Sequence, residues 1–235
     1  MWILAANPVF DAYRSSDFFG KIIFIGLFAL SIATWIVIFQ KWRTYREAKR
    51  KADKLNALLQ KIRLNPLGFE TGNHTGPFSE IYRSLKQNTL ELLSKNKQTA
   101  AEKQPVYLSH SDIQLLEGQL FTTISSQTQL FEKNLFILST IVSLAPFLGL
   151  LGTVWGILIT FSELQTGAAV NANAAVMGGL AMALGTTVIG LVVAIPALIG
   201  YNYLKSAIQQ FSAEMEDFSH SLVSAVELHY RKVDV

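Results

Sequence analysis

Three stretches of the chain are apolar without a charged interruption, and the rest alternates apolar and polar positions at helical spacing. The first, Ile22–Phe39, is bracketed by Lys21 and Lys41. As a helix it would be roughly 27 Å long, close to the bilayer core of about 30 Å. The second and third, Leu135–Phe161 and Ala174–Tyr203, contain no Asp, Glu, Lys, Arg or His. The second would reach about 40 Å as a helix, so it must tilt or protrude. Trp35 and Trp42 lie near the end of the first, where indole rings favour the interface.

The connecting segments read as helices and turns. Met1–Gly20 carries a small apolar patch (Trp2, Ile3, Leu4) and Pro8, and reads either as an interfacial helix or as a frayed terminus. Leu55, Leu58, Leu59 and Ile62 extend the first span's helix beyond the membrane. Asn65–Pro77 is rich in breakers and reads as a loop. Phe78–Leu93 is helical, with Ile81, Leu85 and Leu92 on one face, and Ser94–Gln104 reads as a polar linker. A helix starts near Ser111, with Ser109 or Ser111 as its cap.

From there Ile113, Leu116, Leu120, Ile124, Phe131, Leu135, Leu138 and Val142 recur at steps of three and four, with wider gaps that keep the face. That stripe predicts one long rod entering the second span, bent at Pro146. Glu163–Asn173 reads as a turn. In the tail Ile208, Phe211, Met215, Phe218, Leu222 and Val226 share a helical face.

Composition agrees with a membrane protein, since half the residues are hydrophobic and only 16% are charged. Met1 to Lys21 lacks the basic region and small-residue cleavage site of a signal peptide, and Asp11, Arg14 and Asp17 precede the first apolar run, so that run reads as a retained span. Lys41, Arg43, Arg46, Lys49, Arg50, Lys51 and Lys54 follow it, opposed only by Glu47 and Asp53. A basic flank after a span marks the cytoplasmic side, and no nucleic-acid module accompanies it. The turn at 163–173 lacks Lys and Arg, which suits the external side.

The expected plan is therefore an all-α integral membrane protein with three spans and long helices extending into the cytoplasm. It has an external segment 1–21, span 22–40, cytoplasmic region 41–134, span 135–162, external loop 163–173, span 174–203 and cytoplasmic helix 204–235. The N-terminus lies outside and the C-terminus inside. No cysteine is present, and His74, His110, His220 and His229 are too scattered for a metal site. No phosphate loop, nucleophile–base pair or acid–base pair emerges. An enzyme is not expected, nor a metal, a cofactor or a nucleic-acid partner.

The chemistry on offer lies in the second and third spans. Gly149, Thr153, Gly156 and Thr160 share one face of the second. Gly179, Ala183, Thr186, Gly190, Ala194 and Ala197 share a face of the third, with Thr187 at its edge. Small residues allow close backbone approach, so one reading is helix packing alone. The other is a pore or seam whose polar lining is Thr153, Thr186 and Thr187. Proton carriage inside a membrane uses an ionisable side chain, and these spans have none, so a partner helix would have to bring it.

The segments PFLGLLGTVWGILITF (146–161) and ALGTTVIGLVVAIPALIGYN (183–202) resemble the TolQ/ExbB/MotA family of inner-membrane proton-channel and motor proteins. SIATWIVIFQKWR (31–43) is similar to that family's first span and basic exit, and the likeness is weakest over 65–110. The resemblance implies a pentameric bundle around a pair of helices from a TolR/ExbD-like single-span protein. That partner's transmembrane Asp would carry the proton, and its flow would drive work on the bacterial envelope, either for outer-membrane integrity or for energised uptake. The family's pore-lining threonines fall on Thr153 and Thr187, and its structural positions on Pro146, Gly149, Gly152, Gly156, Gly190 and Pro196. The competing expectation is a membrane scaffold that oligomerises without conducting ions.

One position departs from the family pattern. TolQ and ExbB usually carry a Glu at the start of the third span, and here the run is GLAMAL (179–184), with Met182 in its place. A membrane Glu is costly and generally functional, so its absence is not neutral. The proton remains the expected ion, because sodium would want more oxygen ligands than these faces show.

Overall fold

The computed structural model describes residues 8–59, 67–68, 75–99, 107–165 and 172–230. Six helices form among them: α1 (Pro8–Ser15), α2 (Phe18–Leu59), α3 (Pro77–Thr99), α4 (His110–Glu132), α5 (Leu135–Gln165) and α6 (Ala172–Tyr230). The fold is all-α, and α2, α5 and α6 are long and apolar enough to cross a membrane. The patch Trp2, Ile3 and Leu4 and most of the expected 65–77 loop lie outside the described residues.

The chain divides into two compact units. The first comprises Met1–Gln40 and Asn134–Leu204, the second Lys41–Lys133 and Lys205–Val235. Thus α2 and α6 each run unbroken and contribute residues to both.

In the first unit, Ile23, Leu27, Ile141, Ala145, Val193, Ala194 and Ala197 form a core cluster. A second cluster joins Ala12, Phe24 and Met182. Only 28%, 33% and 39% of the most apolar windows of α2, α5 and α6 are buried within the chain. Phe28, Trp35, Phe147, Val154, Leu184 and Ile199 are among the large apolar side chains left exposed. In water that much bare apolar surface would be prohibitive, whereas lipid or neighbouring helices satisfy it.

The second unit is a bundle cemented by aromatic rings. Phe211 meets Tyr45 at 5.9 Å, Phe78 at 5.7 Å and Phe131 at 5.5 Å between centroids. Lys41 Nζ donates to the Phe131 carbonyl (2.8 Å), Lys49 pairs with Glu214, and the Leu108 amide donates to the Tyr230 carbonyl (2.8 Å). Ile81, Leu85, Leu116 and Leu120 are buried at steps of four.

Three expectations need correction. Helix α3 continues through residues 94–99, which the composition marked as linker. The residues from Ser94 to Thr99 are polar but contain no Gly or Pro, so nothing stops the helix. The turn expected at 163–173 is narrower, because α5 reaches Gln165 and α6 begins at Ala172. The expected rod is interrupted: α4 ends at Glu132, Lys133 is extended (φ −50°, ψ 132°) and Asn134 takes φ 68°. Asn tolerates that left-handed conformation better than most residues. The Lys133 amide closes α4 on the Gln129 carbonyl, and the Asn134 carbonyl accepts from Ile137 at the start of α5. Both Pro146 and Pro196 are accommodated inside continuous helices.

Candidate functional site

The site is built on the first unit, where α5 and α6 lie unusually close. Their contact follows from the small residues that both carry in register. A Cβ placed on Gly149 would sit 3.1 Å from both the Thr186 carbonyl oxygen and the Thr187 Cα. One on Gly156 would sit 2.7 Å from the Gly179 carbonyl oxygen, and one on Gly190 2.7 Å from the Ala145 carbonyl oxygen. Gly152 faces the Thr186 side chain, and Gly179 faces Thr160 Oγ1, both too closely for a Cβ. The two small-residue faces therefore pack against each other within one chain, backbone nearly on backbone.

The threonines differ in where this packing leaves them. Thr186 is fully buried, and its hydroxyl lies within reach of the Ala183 (2.9 Å) and Met182 (3.0 Å) carbonyls of its own helix and of the Gly149 carbonyl across the seam (3.4 Å). Thr187 remains partly exposed and donates across the seam to the Gly149 carbonyl (3.2 Å). Thr153, also partly exposed, donates to Leu150 of its own helix (2.7 Å). Thr153 lies about one turn along α5 from Gly149, so Thr153 and Thr187 flank one stretch of the seam. Each hydroxyl keeps acceptor capacity for water or a carboxylic acid while its hydrogen is engaged. Thr160 is buried and donates to Gly156 (2.9 Å).

Met182 is 1% exposed and packs with Ala12 of α1 and Phe24 of α2. Its thioether end packs directly on Gly20, with Sδ 2.7 Å from the point a Gly20 Cβ would occupy, so a side chain there would have to displace it. The same point is 3.0 Å from Asp17 Oδ1. A carboxylate therefore stands close to Met182, contributed by the start of α2.

Asp17 and Trp155 were not legible as site residues in the sequence. Asp17 Oδ1 accepts from the Gly20 amide (2.9 Å), capping α2, while Oδ2 accepts from Phe19 (3.4 Å) and from the Trp155 indole (3.1 Å). The available signal was an Asp directly before the first apolar run, an N-cap pattern. Among the described residues, no group of three or more His, Asp or Glu is placed to hold a metal ion.

Comparison with known proteins agrees with this architecture. Residues 85–217, more than half of the chain, match the model of the MotA/TolQ/ExbB proton channel family. The chain is 30% identical over 216 residues to the biopolymer transport protein ExbB of Pseudomonas putida, covering 91% of this chain and 62% of that protein. It is 30% identical over 220 residues to the Tol-Pal system protein TolQ of Pseudomonas aeruginosa, covering 92% of this chain and 84% of that one. Over a shorter stretch of 78 residues it is 47% identical to the ExbB of Aquifex aeolicus, covering 33% of this chain and 52% of that protein.

Proposed function

The chain belongs to the MotA/TolQ/ExbB proton channel family, and we propose that it is the membrane-embedded stator or rotor-housing subunit of a proton-driven motor in the bacterial inner membrane. The observation that carries this reading is the α5–α6 seam, with Thr153 and Thr187 partly exposed beside it in spans that hold no Asp, Glu, Lys, Arg or His. A proton cannot cross such a bundle on this chain's own side chains, so a partner's carboxyl group must carry it.

In this mechanism several copies, five by family resemblance, surround a pair of helices from a single-span protein with a membrane Asp. Thr153 and Thr187 offer hydroxyl oxygens to that carboxyl group or to a water beside it as the proton is gained and lost. Thr186 braces the seam from inside. Gly149, Gly152, Gly156, Gly179 and Gly190 hold α5 and α6 together, so the hydroxyls move as one rigid pair. The basic run from Lys41 to Lys54 favours an N-terminus outside and a C-terminus in the cytoplasm. The work goes to the envelope, as Tol-Pal-type integrity or as energised uptake.

The test is co-purification in mild detergent with TolR-like and ExbD-like single-span proteins, followed by native mass spectrometry. Five copies with two partner chains support the reading, and the partner captured identifies the client. A homo-oligomer that captures neither overturns it.

A further inference from the structure

A contact that the pathway does not use directly joins Asp17 to Trp155, 138 residues apart. Trp155 sits in a corner made by three other helices. Its ring stacks at a tilt on Phe19 of α2 (centroids 4.5 Å apart, 51° between planes) and packs against the cluster of Ala12, Phe24 and Met182. Its indole N–H has one hydrogen to give, and Asp17 Oδ2 takes it at 3.1 Å. The other oxygen, Oδ1, is engaged with the Gly20 amide. The carboxylate thus does two jobs with two oxygens: it caps α2 and anchors the indole of α5.

The anchor fixes an angle. Successive residues of an α-helix are set about 100° apart, so Thr153, two residues before Trp155, points about 200° away from it. Holding Trp155 against α2 holds Thr153 on the opposite side of α5. On the face that meets α6, the α5 glycines take α6 side chains directly, Thr186 against Gly152 and Ala183 against Gly156. The indole is the bulky side chain that fixes α5 against α1 and α2 on another face.

We propose that Asp17 is a positioning residue for the ion pathway: through the Trp155 indole it sets the rotation of α5 and thereby aims Thr153. The inference rests on the pathway assigned above, and it is independent of which ion or client the motor serves. Asp17 does not touch the ion in this scheme.

The chain has no cysteine, so single-cysteine probes are clean. The experiment compares Asp17→Asn, Trp155→Phe and the double variant in the complex with its single-span partner, reconstituted in liposomes. Asn puts an NH2 donor where one of the two oxygens stood, so either the Gly20 amide or the indole loses its acceptor, while Phe keeps an aromatic ring of smaller size and has no N–H. Each single variant is expected to lower proton flux by about tenfold, and the double variant by no more than either alone.

A second readout is water-soluble maleimide labelling of Ile157→Cys, which lies about 40° from Thr153 on α5. Labelling is expected to change in both single variants to the same extent, with complex size unchanged. Loss of flux in Asp17→Asn with normal flux and labelling in Trp155→Phe would overturn the proposal and make Asp17 a proton-carrying group. Normal flux and labelling in both would reduce it to a helix cap. If the unmodified complex conducts no protons, the pathway reading fails while the labelling comparison still decides the anchor.

Discussion

Thr187 donates its hydroxyl hydrogen to the Gly149 carbonyl across 3.2 Å, the shorter of two contacts, with Thr186 at 3.4 Å, by which α6 hydroxyls reach this oxygen of α5. It forms only because Gly149 and Gly190 let the backbones meet, with a Gly190 Cβ position 3.2 Å from the Gly149 Cα. Gly190→Val should therefore force the helices apart and reduce the yield of intact complex, as read by size-exclusion chromatography. Gly26→Ala, where nothing lies within 4 Å, is the matched control and should assemble normally. Equal yields would show that close approach is dispensable.

Met182→Glu, which restores the commoner family residue, should destabilise this chain. The position is 1% exposed and stands beside the Asp17 carboxylate. Glu would replace the Met182 packing on Ala12 and Phe24 with a polar carboxyl group that must be desolvated beside another acidic side chain. The variant should melt earlier in detergent than the unmodified protein, and adding Asp17→Asn should recover part of the loss. A Met182→Glu protein as stable as the parent would contradict this account of the corner.

The start of α4 carries a capping box that makes it acid-sensitive. Asp112 accepts from the Ser109 amide (2.9 Å) and the Asn96 side chain (3.0 Å), and its own amide donates to Ser109 Oγ (3.2 Å). Burial alone would raise its pKa, but the Ser109 and Asn96 hydrogen bonds and the charge of Lys95 outweigh it and hold the carboxyl below its usual value. A depressed carboxylate stabilises the fold above its unfolded pKa of about 3.9, and that stability is lost as pH falls through the lower folded value. Asp112→Ala should cost about 1 kcal/mol or somewhat less at neutral pH, given partial exposure, and should blunt the acid loss. Thermal melts between neutral pH and pH of about 3 measure both.

Thr89 offers a gain in place of a loss. It is fully buried in α3, and its hydroxyl finds no hydrogen-bond partner among the described residues. An unpaired buried polar group costs about 1–3 kcal/mol, so the near-isosteric Thr89→Val should raise stability by about 1 kcal/mol. Chemical denaturation of the complex reads the change, and a destabilised variant would show that a water serves the hydroxyl.

The sequence carried the elements because their causes are local. Charge-free runs of span length announced α2, α5 and α6, and Ser109 with Asp112 three residues on announced the start of α4. The small-residue faces of α5 and α6 were visible as spacing, but spacing could not tell whether they meet each other or a neighbouring copy. The structure packs them on each other and leaves Thr186 inside while Thr153 and Thr187 remain accessible. The break at Lys133–Asn134 was hidden because Phe131 and Leu135 keep the four-residue step across it. Asp17 and Trp155 were hidden for the opposite reason: each looks ordinary alone, and only the tertiary fold brings them together.

The central claim is that this chain lines a proton pathway with Thr187 while a partner supplies the titrating group. Its most direct test is proton flux into liposomes holding the complex with its single-span partner, comparing the unmodified chain with Thr187→Val. Valine keeps the shape and removes one interhelical bond worth about 0.6 kcal/mol, so assembly should survive. The account predicts unchanged complex size with flux lost in Thr187→Val and retained in Thr186→Val. Normal flux in Thr187→Val would contradict it.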